Sequence, residues 1–345
     1  MKEKFSFKNI LLHKKFIFLF LISAVLTIIK SAASFAVPQV IRFTVDCVIG
    51  DVPLNHTKSA NLINYMGGIE YIKNNLWVCA VLILILAVFT AVSDYYSRVS
   101  ISKGTELIIK KMRDDLFEHI QKLPYSWHIK NQTGDIIQRS TSDVEVVRNF
   151  ISTQLVEMFR TIMMVCISLI LMFSMNVQLS FIVLIFIPVV VLYSTIFFGI
   201  LTRKFLVADE AEGELFTFTQ ENLTGVRVVR AFGRERYEIE KFSEKNIKFS
   251  NLWVKLGYQL GYYWGIGDLV TGALMLVTVV YGTNLAVDNV ITLGEFMVFV
   301  SYTAMIVWPL RSMGRILGEM SKTKVSINRI NEILNEPEEN DNPDS

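Results

Sequence analysis

Residues 161–202 read TIMMVCISLILMFSMNVQLSFIVLIFIPVVVLYSTIFFGILT, a run of 42 residues without Asp, Glu, Lys or Arg, bounded by Arg160 and Arg203. As one helix this run would reach roughly 63 Å at about 1.5 Å per residue, about twice a 30 Å hydrocarbon core. Asn176-Val177-Gln178 forms a polar break near its middle. The stretch therefore reads as two membrane spans, about 155–175 and 179–202, joined by a tight turn.

Working outward, four further spans are readable, at about 16–46, 76–96, 258–287 and 289–312. Residues 76–93 are uncharged; the first span carries Lys30 and Pro38, the fifth Asp268, and the sixth Glu295 and Pro309. Membrane helices tolerate proline because neighbouring groups re-satisfy the freed backbone. Composition agrees: 52% of the 345 residues are hydrophobic and 19% charged, against about 25% charged in an average soluble domain, and the mean hydropathy is +0.42. The fold class is an all-α membrane protein of six transmembrane helices. Lys14 and Lys15 before an apolar run resemble the start of a signal peptide. No small-residue cleavage site follows promptly, so this is read as the first span. Residues 1–15, with Phe5, Phe7, Ile10, Leu11 and Leu12 among lysines, suit a helix lying in the inner interface.

Lysine and arginine set the orientation. Residues 97–154 and 203–257 are rich in both, whereas the other side has Lys58 and Lys73 after the first span and none in the two tight turns. Both termini and both long segments are thus expected in the cytoplasm of a cell-membrane protein. Each segment has helical, mixed-charge sequence with one interruption: Leu123-Pro124-Tyr125 through Asp135, and Leu223-Thr224-Gly225 through Arg234. The spans should continue outward as paired rods, each pair turning at its tip. Residues 336–345 form an acidic tail.

Several strings then carry a family resemblance. They are Arg113-x-x-Leu116-Phe117-x-x-Ile120-x-x-Leu123-Pro124, Gly134-Asp135-Ile136-x-x-Arg139-x-x-x-Asp143-Val144, and Glu221-Asn222-Leu223-x-Gly225-Val226-Arg227-Val228-Val229-Arg230-Ala231-Phe232-x-Arg234-Glu235. Leu293-Gly294-Glu295-Phe296, Pro309-Leu310 and Arg329-Ile330-x-Glu332-Ile333-Leu334 follow, and Pro38 and Asp46 sit correspondingly in the first span. Over residues 1–335 the chain resembles the transmembrane domain of exporter-type ATP-binding cassette (ABC) transporters. The resemblance implies short coupling helices at the two breaks, near His128–Ile136 and Ala231–Phe242, docking on nucleotide-binding domains. The residues implicated are His128, Asn131, Thr133, Gly134 and Asp135 in the first break, and Ala231, Phe232, Arg234, Glu235 and Tyr237 in the second. Without the resemblance, the same tips read equally as helix–turn–helix ends whose aromatics pack on their own rods.

Lys30 and Asp268 are candidates for the translocation path, because charge in hydrocarbon is costly and normally faces a cavity or a partner. Lys30 lies about 22 Å along its helix from Lys15 and Asp268 about 30 Å from Asp288, so a direct pair between them is not expected. The plainer alternative is that Lys30 snorkels and Asp268 sits at a wet interface. Gly257, Gly261 and Gly265 have the four-residue spacing of a helix-packing seam. Arg227, Arg230 and Arg234 are spaced like a voltage sensor but lack an apolar span and read as a solvated face. Cys47, Cys79 and Cys166 have no metal or redox spacing, and no metal site or catalytic residue is expected.

No glycine is followed by lysine, so a phosphate-binding loop is missing. The chain should bind no cofactor itself. By resemblance, ATP and Mg²⁺ belong to partner nucleotide-binding domains, and a second transmembrane half, identical or homologous, would complete a path for an unknown exported substrate. A near-neutral net charge of +2 gives no reason to expect a nucleic-acid partner. The rival readings are a channel, against which there is no filter string between spans five and six, and a non-transporting scaffold of the same architecture. Orientation is testable by single-cysteine labelling. Positions 55 and 289 should react with an impermeant thiol reagent from outside intact cells, and positions 132 and 234 should not; external labelling at 234 would reverse the topology.

Overall fold

The computed structural model describes residues 14–50 and 68–339. The expected interfacial helix at 1–15, apart from its last two residues, the Lys58 loop and the tail beyond 339 lie outside the described residues. Nine helices account for nearly all the rest, and no strand occurs among the described residues. They are α1 (Lys14–Phe43), α2 (Gly68–Asn74), α3 (Trp77–Gln121), α4 (Tyr125–Lys130), α5 (Thr133–Met175), α6 (Val177–Thr224), α7 (Val226–Ala231), α8 (Glu235–Val287) and α9 (Leu293–Leu334). Six of them, α1, α3, α5, α6, α8 and α9, are long and apolar enough to cross a membrane.

The rods follow from what the sequence withholds. Between Trp77 and Gln121 there is no proline and a single glycine, Gly104, so nothing breaks the backbone ladder as α3 leaves the apolar zone. The 53 residues of α8 make a rod of roughly 80 Å. Pro38, Pro188 and Pro309 sit inside α1, α6 and α9, all in the apolar parts of those helices. The sixth span begins at Leu293 rather than 289. Residues 288–292 form the turn, with Asn289 at φ 58° and Thr292 capping α9. The third span is likewise the far end of a helix that starts at Thr133. Local π turns at 139–143 and 150–154 widen that helix without ending it.

Packing divides into two principal cores. In the apolar zone Phe35, Met172, Leu179, Val183, Leu274, Phe299, Tyr302 and Ile306 interlock from α1, α5, α6, α8 and α9. Tyr302 donates to the Phe35 carbonyl at 2.9 Å, takes the Gln39 amide at 2.8 Å, and meets the Phe35 ring edge-on. The second core lies along the extensions. Ile101, Ile108, Met112, Leu116 and Ile120 recur at helical spacing on α3 and pack with Val144, Val147 and Ile151 of α5 and Ile330 and Ile333 of α9. That core is buried along the charged extensions, outside the apolar zone, so the ordinary hydrophobic effect holds it, whereas in lipid close fit and hydrogen bonds must do so. Between α6 and α8 the Lys248 ammonium bonds Glu214 at 3.0 Å and holds its carboxyl below the usual carboxylate range. After α9 the chain folds back: the Glu339 amide donates to the Lys122 carbonyl at 2.8 Å, and His119 contacts the Glu336 carbonyl at 3.1 Å.

Close approach within the chain runs through glycines other than those the spacing suggested. A Cβ on Gly257, Gly261 or Gly265 would meet nothing within 4 Å. Those three lie on an exposed face of α8 and form no seam inside this chain. The seam is on α9, where a Cβ at Gly314 would collide with the Ser194 backbone of α6 and one at Gly318 with the Phe198 ring. Gly314→Val should lower thermal stability in detergent by about 1–3 kcal/mol, the usual cost of overpacking. Gly261→Ala should change it by less than about 0.5 kcal/mol. Comparable melting shifts for the two variants would refute this assignment of the seam.

Candidate functional site

The sequence-predicted residues fall into two groups, one at the rod tips and one among the spans. At the first tip α3 stops at Gln121, and Pro124, extended at φ −63°, ψ 147°, starts α4. Proline has no N–H and disfavours helix in the residue before it, which explains both the stop and the fresh start. Asn131 and Gln132 are both extended, so α4 ends and α5 begins within two residues. The short element is thus Tyr125–Lys130, nearer the N-terminus than the expected His128–Ile136. His128 lies within it and Asn131 caps it, its side chain bonding the Trp127 carbonyl at 2.9 Å. Thr133, Gly134 and Asp135 instead form the first turn of the long α5. Asp135 pairs there with Arg139 at 2.9 Å, which also reaches Glu332 of α9 at 2.9 Å.

The second tip shows the same displacement. The short helix is Val226–Ala231, bracketed by Gly225 and Gly233. Gly233 has φ +62° and reverses the chain, a conformation glycine adopts without cost. Of the expected Ala231–Phe242 element, Ala231 ends α7, Phe232 and Arg234 lie in the turn, and Glu235 and Tyr237 open α8. Phe232 is 77% exposed. The Arg234 guanidinium lies 5.9 Å from the Tyr237 ring centroid. The sequence reading passed over Tyr125 and Ile129, exposed one turn apart on α4, and Val228 on α7. Their positions inside the breaks were the available signal. Both tips thus present a six-residue helix studded with uncovered apolar side chains.

Among the spans, Lys30 and Asp268 do not meet each other. Lys30 forms an ion pair with Asp94 of α3, and Asp94 also takes the Arg98 guanidinium at 2.9 Å. Alongside it, the Ser97 hydroxyl meets Ser23 at 2.9 Å and Thr27 at 3.0 Å. Lys30 therefore belongs to a polar seam between α1 and α3. Asp268 accepts from Arg311 of α9 at 2.5 Å. Arg311 is buried, over the Trp264 ring at 5.0 Å, in space kept open by Gly267, where a Cβ would come within 2.6 Å of Nη2. Neither partner was named from sequence. Asp94 directly follows an uncharged run, but its pairing spans 64 residues.

A third cluster closes the opposite end. Asp46, 7% exposed, takes the Gly294 amide at 2.8 Å and the Thr292 hydroxyl at 2.5 Å. Thr292 and Glu295 complete a reciprocal capping box, and Arg42 bonds Glu295 at 2.6 Å. A side chain at 294 would strike the Asp46 carboxylate. Glycine there, an acid in the π turn Thr44–Ile49 that continues α1, and an acid at the third position of α9 form one mutually dependent unit.

The profile described as ABC transporter transmembrane region matches residues 20–310. A relative from Bacillus subtilis (strain 168), the "Uncharacterized ABC transporter ATP-binding protein YknU", is 27% identical over 231 residues, 67% of this chain and 40% of its own length. A second from that organism, the "Probable multidrug resistance ABC transporter ATP-binding/permease protein YheI", is 28% identical over 253 residues, 72% of this chain and 43% of its own. The "ATP-dependent lipid A-core flippase" of Pseudoalteromonas translucida (strain TAC 125) is 27% identical over 259 residues, 75% and 45% respectively. The chain spans less than half the length of these relatives.

The Lys30–Asp94 contact is testable by a double-mutant cycle. Lys30→Met and Asp94→Asn should each lower the melting temperature in detergent. The double variant should be more stable than their sum by about 0.5–3 kcal/mol. Strict additivity would mean that the two charges do not interact.

Proposed function

The chain belongs to the ABC transporter transmembrane region family, and from that premise we propose that it is the membrane-spanning half of an ATP-driven exporter. Two such halves, identical or homologous, would enclose one path, and nucleotide-binding domains holding ATP and Mg²⁺ would drive it. The observation that carries this reading is the pair of short helices, Tyr125–Lys130 and Val226–Ala231, set between long rods far from the apolar zone. Their exposed aromatic and aliphatic side chains suit burial against another domain. Energy then enters at the tips and travels along the rods. The extensions and both chain ends lie in the cytoplasm of a cell-membrane protein, as the lysine and arginine asymmetry favours. Of the two candidate path residues, Asp268 is the one we place on the path, since its carboxylate is 70% exposed while its partner Arg311 is buried. Lys30 serves the α1–α3 seam. The relatives' names include a multidrug resistance protein and a lipid A-core flippase, and an amphipathic cargo is the class we infer.

The tip reading is tested in a transporter completed by its nucleotide-binding domains. Aromatic anchors at interfaces commonly contribute a few kcal/mol. Phe232→Ala should insert normally, bind ATP, and transport at least about tenfold more slowly, the effect of roughly 1.4 kcal/mol. Its ATP hydrolysis should lose stimulation by substrate. Unchanged transport together with unchanged stimulation would remove Phe232 from the docking surface.

A further inference from the structure

Two of the sequence strings, residues 134–144 at the start of α5 and 329–334 at the end of α9, lie against each other along the extensions. Their apolar members Val144, Ile330 and Ile333 share one core. Their charged members meet beside it. Arg139 is held from three sides: it pairs with Asp135 and with Glu332, each at 2.9 Å, and donates to the Arg329 carbonyl at 3.3 Å.

One helical turn further on, Asp143 is only half engaged. The residue is 6% exposed. Its Oδ1 accepts from the Ser326 hydroxyl of α9 at 2.7 Å. Its Oδ2 is buried without a hydrogen bond. The Arg329 guanidinium stands 3.9 Å from that oxygen, about 1 Å short of a charge-assisted hydrogen bond. The Arg329 side chain is 44% exposed and has no other ion pair or hydrogen bond among the described residues. A buried carboxylate oxygen without a donor is costly, so the arrangement calls for an explanation. Asp143 also closes the first π turn of α5, Arg139–Asp143, and turns of this kind recur where a helix serves a function. It lies ten residues, roughly 15 Å, along α5 from the first tip at Thr133, between that tip and the third span.

We propose that Asp143 and Arg329 form a two-position joint between the first-tip rod and α9. The pair is apart in the arrangement described here. When the tip is driven, α5 and α9 shift by about 1 Å relative to one another, and Arg329 closes on Oδ2. Ser326 holds Oδ1 in both positions. A bond that forms in only one arrangement favours that arrangement, which is how the joint biases the rods. Both are positioning residues: they touch neither cargo nor nucleotide. The proposal rests on the exporter reading, because partner nucleotide-binding domains must drive the tip.

The test compares the pair in two states of one preparation. The full chain is reconstituted with its nucleotide-binding domains in nanodiscs, as wild type, D143N, R329Q and the double variant. Melting is followed without nucleotide and with ATP trapped by vanadate, and transport is scored in the same samples. Without nucleotide, R329Q should melt with the wild type. D143N, which removes a buried charge, should melt at or above it. In the trapped state both single variants should melt below the wild type, and the double variant no lower than either. Transport should fall about tenfold in each single variant, the scale of one charge-assisted bond, and no further in the double. A merely structural pair would lower melting without nucleotide as well. Such a fall, or strict additivity in the trapped state, would overturn the joint while the wild type still transports. R329Q alters a half-exposed side chain, so its comparison stands even where D143N fails to fold. Wild-type complex that binds ATP and transports nothing would instead remove the exporter reading, and the joint with it.

Discussion

The Asp46 carboxylate ties the first long helix to the last. It sits at the N-terminus of α9, where the backbone amides of the first turn have no helical partners and present partial positive charge. Gly294 and Asp46 are buried here, so those amides cannot rely on water, and a buried unsatisfied group costs several kcal/mol. Asp46 takes one amide directly and engages Thr292, which caps another; Arg42 neutralises the acids. Residues 248 apart in sequence are thereby fixed, and α9 becomes the helix against which α1, α5, α6 and α8 all pack. The tightness of that packing depends on small residues: Gly294 admits the carboxylate, and Gly314 and Gly318 admit α6.

From this anchored helix the structure passes through two solvents. In the apolar zone, cohesion comes from fit and from polar contacts such as Tyr302 to Phe35, the Ser23–Thr27–Ser97 seam and the Asp268–Arg311 pair. Along the extensions the same rods change to aliphatic stripes that bury themselves from water, with Leu116 and Ile109 of α3 each 1% exposed. One continuous helix such as α3 therefore carries two packing codes in series. The Lys30–Asp94 contact, with Arg98 a turn further on, lies near the join.

Much of this was legible in the chain. Uncharged runs of hydrocarbon length announce spans whatever their neighbours are, and α3, α5 and α6 follow from them. Pro124, Gly225 and Gly233 marked the breaks, because those residues constrain the backbone locally. What failed to show was pairing. Gly257, Gly261 and Gly265 share the spacing of Gly314 and Gly318, but spacing says only which residues share a helix face, not whether another helix lies against it. Asp94 fell at the end of the expected second span, 76–96, with nothing local to mark it, since its role depends on Lys30, 64 positions earlier. The short helices were displaced by several residues because the strings that identify the tips extend past the turns into the first turns of the following rods. Asp46 and Gly294 were both noticed as parts of strings, and only their juxtaposition explains why each residue type is required.

The placement of proline has a mechanical consequence. α3, α5 and α8 contain none, while Pro38, Pro188 and Pro309 all lie within apolar portions of their helices. In α1, α6 and α9 bending compliance is therefore concentrated in the apolar zone, and the extensions of α3, α6 and α8, which hold neither proline nor π turn, behave as stiff beams. From Pro188 to the end of α6 the beam measures roughly 54 Å, so each degree of flexure at the proline moves its far end by roughly 1 Å. Run in reverse, a displacement of several ångströms at the tip becomes a tilt of only a few degrees among the spans. The molecule is geared down: large excursions outside the membrane become small, forceful adjustments within it.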